Sequence, residues 1–173
     1  MALHESVGPA EASISAIARL AGVQRLTVYR HFPTTQSLLE ACSAHHLASN
    51  PPPDPSGWLS LDDPDARLIA ALEGLYAYFR STAAMNEKLF RDARVMPEVA
   101  GVMAGYGHFI GLLGGMLATG LRPQGPDVVL EAAVAHAIEF ETWLALTSRL
   151  GLTDQQAVGL MAGMVRAAVL SGG

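Results

Sequence analysis

Between Ala12 and Leu39 the chain has no acidic residue, and elsewhere it is short of features that would mark other protein classes. Cys42 is its single cysteine, so no intramolecular disulfide can form and a reducing cytoplasm is the expected compartment. The opening MALHESVGPA lacks both the basic flank and the long apolar core of a secretory signal. Charged residues make up 16% and hydrophobic residues 50% of the 173, which excludes a disordered chain. Aromatic and β-branched runs are scarce and no strand-like alternation or internal repeat occurs, so helices are favoured over sheet. A net charge of −5 excludes a protein that coats nucleic acid by bulk electrostatics.

The charge is unevenly placed. Arg19, Arg25 and Arg30 fall inside the acid-free stretch and give it +3 within a chain that is acidic as a whole. A short basic segment on an acidic body is the pattern of a small DNA-reading head.

Proline and glycine divide the chain into helical segments. Residues from His4 to Val7 read as the last turn of a helix, stopped by Gly8 and Pro9. So few residues form no stable helix alone, and the expectation is a natural polypeptide that begins upstream of Met1. Ser13 caps a helix to Leu20, a second runs from about Gln24 to Phe32, and a third continues from Pro33 to about Ala48. NPPPDPSG, residues 50–57, is the strongest linker signal. It divides a head, residues 1–49, from a body, residues 58–173. In the body, Asp63 and Pro64 open a helix to about Ala84, and a shorter one spans Asn86 to Val95. Asp127 caps a long helix to Leu150, and Thr153 with Gln156 forms a capping box for a last helix to about Leu170. The expected fold class is all-α.

Val99 to Leu121 is uncharged and long enough to span a bilayer, with GxxxG pairs at Gly101/Gly105, Gly107/Gly111 and Gly111/Gly115. Seven glycines, a central His108 and the lack of an aromatic belt or basic cluster argue against a membrane span. A buried helix packed closely by its neighbours is the expectation, with no membrane as partner.

The informative stretch is SISAIARLAGVQRLTVYRHF, residues 13–32. Ile14, Ile17, Ala21, Val23, Val28 and Phe32 are apolar where two short crossing helices face inward, and Ala18 is small at their closest approach. Gly22 supplies the positive φ of the turn. The second helix then offers Gln24, Arg25, Thr27, Arg30 and His31 to bases or phosphates. The run Ile-Ala-x-x-Ala-Gly-Val followed by Val-Tyr-Arg-His-Phe resembles the head of the TetR family, nearly continuously over residues 13–40.

The resemblance implies a helix-turn-helix head, a helical effector-binding and dimerising body, and a transcriptional repressor. It puts Ser13 where the family caps its first motif helix and touches phosphate. Gln24, Arg25 and Arg30 fall at base-facing positions, with Arg25 suited to a bidentate contact with guanine. Thr27, Tyr29 and His31 fall at backbone-binding positions. Thr35 stands where the family usually has a lysine, so a hydroxyl replaces a charged phosphate anchor. The implied partners are a near-palindromic double-stranded DNA operator, a second copy docked through residues 127–170, and a small apolar or aromatic effector. Candidate effector contacts are Tyr76, Phe79, Met96, Met103, Tyr106, Phe109, His136, Phe140 and Trp143. Ala157, Leu160, Met161, Met164 and Ala168 read as one dimerising face of the last helix.

Catalysis has little support. Cys42 and His45 are spaced as a thiol–imidazole pair with nothing to orient the histidine. His136 and Glu139 have metal-ligand spacing without a third ligand nearby in sequence. No nucleophile elbow or phosphate loop occurs, so no enzyme activity, metal or cofactor is expected. The competing reading, motivated by the short first helix, is a ligand-binding or dimerising protein of the same ancestry that no longer binds DNA.

Overall fold

The computed structural model describes residues 2–122 and 125–171, and among them every regular element is a helix. Two compact units result, residues 1–52 with 82–105, and residues 53–81 with 106–173.

The first unit opens with α1, Ala2–Val7, which stops at Gly8 in a left-handed conformation (φ +90°). Helix α2, Ile14–Leu20, is capped by the Ser13 hydroxyl, which accepts from the Ala16 N–H at 3.2 Å. Gly22, at φ +67°, turns the chain into α3, Arg25–His31. Helix α4, Thr35–Ser49, starts with a capping box in which the Thr34 hydroxyl accepts from the Ser37 N–H and the Ser37 hydroxyl from the Thr34 N–H. Ala18, Val28, Leu38 and Leu39 are buried in this unit. Ala21 and Val23, expected inside, are exposed, and Phe32 is half-buried. Ala18 is the buried residue of α2 and Val28 that of α3, with Ile14 and Ile17 half-buried beside them in sequence.

A buried carboxylate ties the segment before α2 to the rest of the unit. Asp92 accepts from the Ala10 N–H at 2.9 Å and from Arg91 Nε at 2.7 Å, while Arg91 Nη2 donates to the Val7 carbonyl at 2.9 Å.

The second unit contains α5, Ser56–Leu59, and the two longest helices are each divided between the units, at residues 81/82 and 105/106. One helix, α6, runs from Pro64 to Ala93 where two had been expected from the sequence. Asn86 does not cap a new helix: its amide donates to the Thr82 hydroxyl one turn back at 3.0 Å, and no glycine or proline interrupts the ladder. Helix α7, Pro97–Ala118, is followed by α8, Val128–Ala137, whose Asp127 carboxylate accepts from the Leu130 N–H at 2.9 Å. Arg122, nearly buried, pairs with Asp127 and donates to the Ala168 carbonyl at 2.7 Å.

The continuous helix expected over residues 127–150 is broken at Ile138 and Glu139. It resumes as α9, Phe140–Leu144, and ends in a π-helical turn, Ala145–Arg149, where the Leu150 N–H reaches back to the Ala145 carbonyl at 3.1 Å. Two tyrosines satisfy the backbone at the break: the Tyr76 hydroxyl donates to the Ala137 carbonyl at 2.8 Å, and the Tyr106 hydroxyl accepts from the Phe140 N–H at 3.3 Å. Neither could be foreseen locally, and together they replace bonds that the helix gives up.

Helix α10, Asp154–Ser171, begins with the expected Thr153–Gln156 capping box. Its residues do not share one outward face. Ala157, Met161 and Ala168 are buried within the chain, whereas Leu160 and Met164 are exposed by 45% and 49%.

Helix α7 also departs from expectation, since it is packed on one side only. Ile110, Leu113, Gly114, Leu117 and Ala118 are buried, while Gly105, Gly107, Gly111 and Gly115 meet no neighbour where a Cβ would stand. Among the described residues it is the one helix long and apolar enough to cross a membrane, by length and composition.

Candidate nucleic-acid interface

The two helices α2 and α3 form a helix-turn-helix whose second member exposes a polar surface. Val28 is 6% exposed and anchors α3 inward. Gln24 sits at the N-cap with extended backbone and no side-chain capping bond, which leaves its amide outside the helix ladder. Arg25, Tyr29, Arg30 and His31 are exposed, and Thr27 is half-buried. Among the described residues, Arg25 and Arg30 make no ion pair, so both guanidinium groups keep all their donors for an outside acceptor. His31 lies 6.5 Å from the Phe32 ring. Ser13 accepts its capping bond and retains its O–H as a donor. Thr35, first residue of α4, is exposed.

The surface therefore gathers hydroxyl, amide and guanidinium donors on one short helix and on the starts of the helices either side of it. No carboxylate stands between Glu11 and Glu40. Such an array can take phosphate oxygens and base edges. Residues 1–42 match the family model of the bacterial regulatory proteins, tetR family. The head is that of a TetR-family transcriptional regulator. The match ends at Cys42, and no curated protein and no solved structure matches the chain. The TetR head supplies DNA binding through the helix-turn-helix just described.

Sequence reasoning missed an exposed residue on α3 of this TetR head. Leu26 is 75% exposed, on the same helix as Arg25 and Arg30. No local signal in the sequence marked it.

The residues expected around an effector fall into different places. Tyr76, Phe79, Phe140 and Trp143 come together, with Phe79 5.5 Å from Phe140 and 6.1 Å from Trp143 between ring centroids. All four are essentially buried and packed on one another as core. Tyr106 and Phe109 are half-buried, and burial pushes the Tyr106 hydroxyl well above the usual tyrosine range. Met96 and Met103 belong to the first unit.

His136 alone of the nine lines a cavity of about 610 Å³, with Glu139, Glu141, Thr142, Leu160 and Met164 among its walls. The Thr142 hydroxyl lies 3.1 Å from His136 Nδ1. Burial, then the charge of Glu141, raises the Glu139 carboxyl above the ordinary range, partly offset by His136. Cys42 is half-buried, and burial raises its thiol, which removes the thiolate character that its spacing to His45 would need for chemistry.

Proposed function

We propose that this protein is a ligand-responsive repressor that binds a near-palindromic operator as a homodimer and is released by a small, largely apolar effector. The observation that carries the reading is the cluster of unpaired donors on α3 within a TetR-type head. The assigned contacts are Gln24, Arg25 and Arg30 to bases, and Ser13, Thr27, Tyr29, His31 and Thr35 to the backbone. The domain division follows the same logic, with a DNA-binding head before the proline-rich segment at residues 50–57 and an effector and dimerisation body after it.

Support for the dimer comes from the surface of residues 127–170. Val128, Val129, Leu150 and Leu170 are exposed apolar side chains there, between 54% and 83% exposed. A second copy would take them out of water, at roughly 25 cal/mol per Å² of apolar surface. Support for the effector comes from the cavity beside His136, whose volume of about 610 Å³ falls in the range of small-molecule sites, about 300–1,000 Å³. Leu146, Leu160, Met161 and Met164 supply its apolar walls. The protein acts in the cytoplasm, where DNA is, and needs no cofactor or catalysis for this role.

A gel shift with the DNA immediately upstream of the gene, combined with light scattering, tests the proposal. The expected result is a dimer that shifts a specific fragment. A protein that stays monomeric at micromolar concentration, or that shifts no fragment over competitor DNA, would overturn it.

A further inference from the structure

On a helix turning about 100° per residue, Leu26 and Arg30 lie about 160° to either side of Val28. Val28 is the one buried residue of α3, so Leu26 and Arg30 define the face of the helix that points farthest from the core. Arg25 and His31 lie closer to the Val28 side, about 60° from it. Leu26 is 75% exposed, and no core residue covers it. Exposed leucines are common singly, but this one stands on the outward face of α3, between the unpaired Arg25 and Arg30 around the helix.

Chemistry narrows what it can meet there. A leucine has neither donor nor acceptor. Against the major-groove edge of guanine, adenine or cytosine it would cover polar atoms and return no hydrogen bond. Thymine alone presents an apolar group in that groove, its C5 methyl. We propose that Leu26 is a specificity-determining residue of the head, packing its isobutyl group on the thymine methyl at one position of each half-site while Arg30 reads a base beside it. The inference rests on operator binding by the head and adds the base class that the operator must contain.

The experiment begins with selection of binding sites from a random-sequence duplex library by the full-length protein. Each thymine of the selected site is then replaced singly by deoxyuridine, which removes the methyl and leaves every hydrogen-bonding group in place. One thymine per half-site should respond, with wild-type affinity falling about four-fold, the equivalent of one methyl-sized group no longer buried. Leu26→Ala should bind the thymine site more weakly and lose the distinction between thymine and deoxyuridine at that position only. Its thermal melt should match wild type, because the side chain supports no core contact. Specific binding that ignores every deoxyuridine replacement would sink the role of Leu26 and leave operator binding intact. So would a Leu26→Ala variant that keeps the same deoxyuridine penalty. Failure to select any site would overturn both.

Discussion

The indole nitrogen of Trp143 donates a hydrogen bond to Asp154 at 2.9 Å, joining a buried ring to the first residue of α10. The same carboxylate takes two bonds from Arg80 at 2.6 Å, and the Arg80 guanidinium lies 5.5 Å from the Trp143 ring centroid. Trp143 is 2% exposed, so its N–H has no route to water if Asp154 is lost. Asp154→Ala should cost about 1–3 kcal/mol, the penalty of an unsatisfied buried donor. Asp154→Asn keeps an acceptor and should cost less, because Arg80 is half exposed and screened. The bonds from Arg80, then that from Trp143, hold the Asp154 carboxyl below its ordinary range. Its folded value is thus lower than its unfolded one, and its contribution is present above the unfolded value and lost as pH falls through the folded one. The difference in melting temperature between wild type and Asp154→Asn should therefore shrink once the pH drops below about 4. A difference that stays constant from pH 7 to pH 3 would refute the assignment.

Asp92 does comparable work in the first unit. Its side chain is 2% exposed and bonds the Ala10 N–H and Arg91. Asp92→Ala should destabilise the first unit by about 1.5–3 kcal/mol, the range for bonds to a charged group. Gly8→Ala attacks the same junction from the other side. Its backbone sits at φ +90°, and a Cβ there would lie 2.5 Å from Arg91 Nη2 and 2.7 Å from Asp92 Oδ2. Strain of about 1–3 kcal/mol should follow. Limited proteolysis across residues 1–12 should be faster in both variants, and equal rates would show that the junction carries no weight.

Substitutions on α3 should separate base reading from backbone anchoring. Arg25→Ala should relax base preference at one position of each half-site and cost about 1–3 kcal/mol per contact. Tyr29→Phe, which removes a 44%-exposed hydroxyl-bearing side chain's only polar group, should weaken binding evenly over all sequences. Sequencing of selected sites reads the difference. An unchanged preference in Arg25→Ala would remove that residue from base contact.

The features legible in the sequence are those fixed by a few neighbouring residues. Ser13, Gly22, Asp127 and the Thr153–Gln156 pair each act within one turn, and each holds its expected place. The break after Ala137 was not legible, since Tyr76 and Tyr106 hold it from 61 and 34 residues away. The same is true of Val23, whose exposure depends on how the turn projects, and of α10, whose apolar residues divide between the chain's own core and its surface. At the candidate site the polar residues of α3 stood out by type. Leu26 did not, because an apolar residue beside a buried valine reads as core until its helix is oriented.

The glycines give a last prediction. Gly111 belongs to the GxxxG series that the sequence reading assigned to close packing, yet a Cβ there meets nothing within 4 Å. Gly74, which carries no such pattern, faces Trp58: a Cβ would stand 3.0 Å from Cε2 and closer still to Cζ2. Gly111→Ala should therefore stabilise α7 by about 0.8–1 kcal/mol through helix propensity alone, and Gly111→Leu should fold normally. Gly74→Ala should gain the same propensity and lose more by displacing Trp58, for a net cost of about 1–2 kcal/mol within the usual range for overpacking. Thermal melts give the signs, and a red shift in tryptophan emission should accompany Gly74→Ala as Trp58 moves toward water. A lowered melting temperature for Gly111→Leu would mean that the open side of α7 is covered in solution. In that case light scattering of the same variant should show a loss of mass, since only another copy of the chain would be there to cover it.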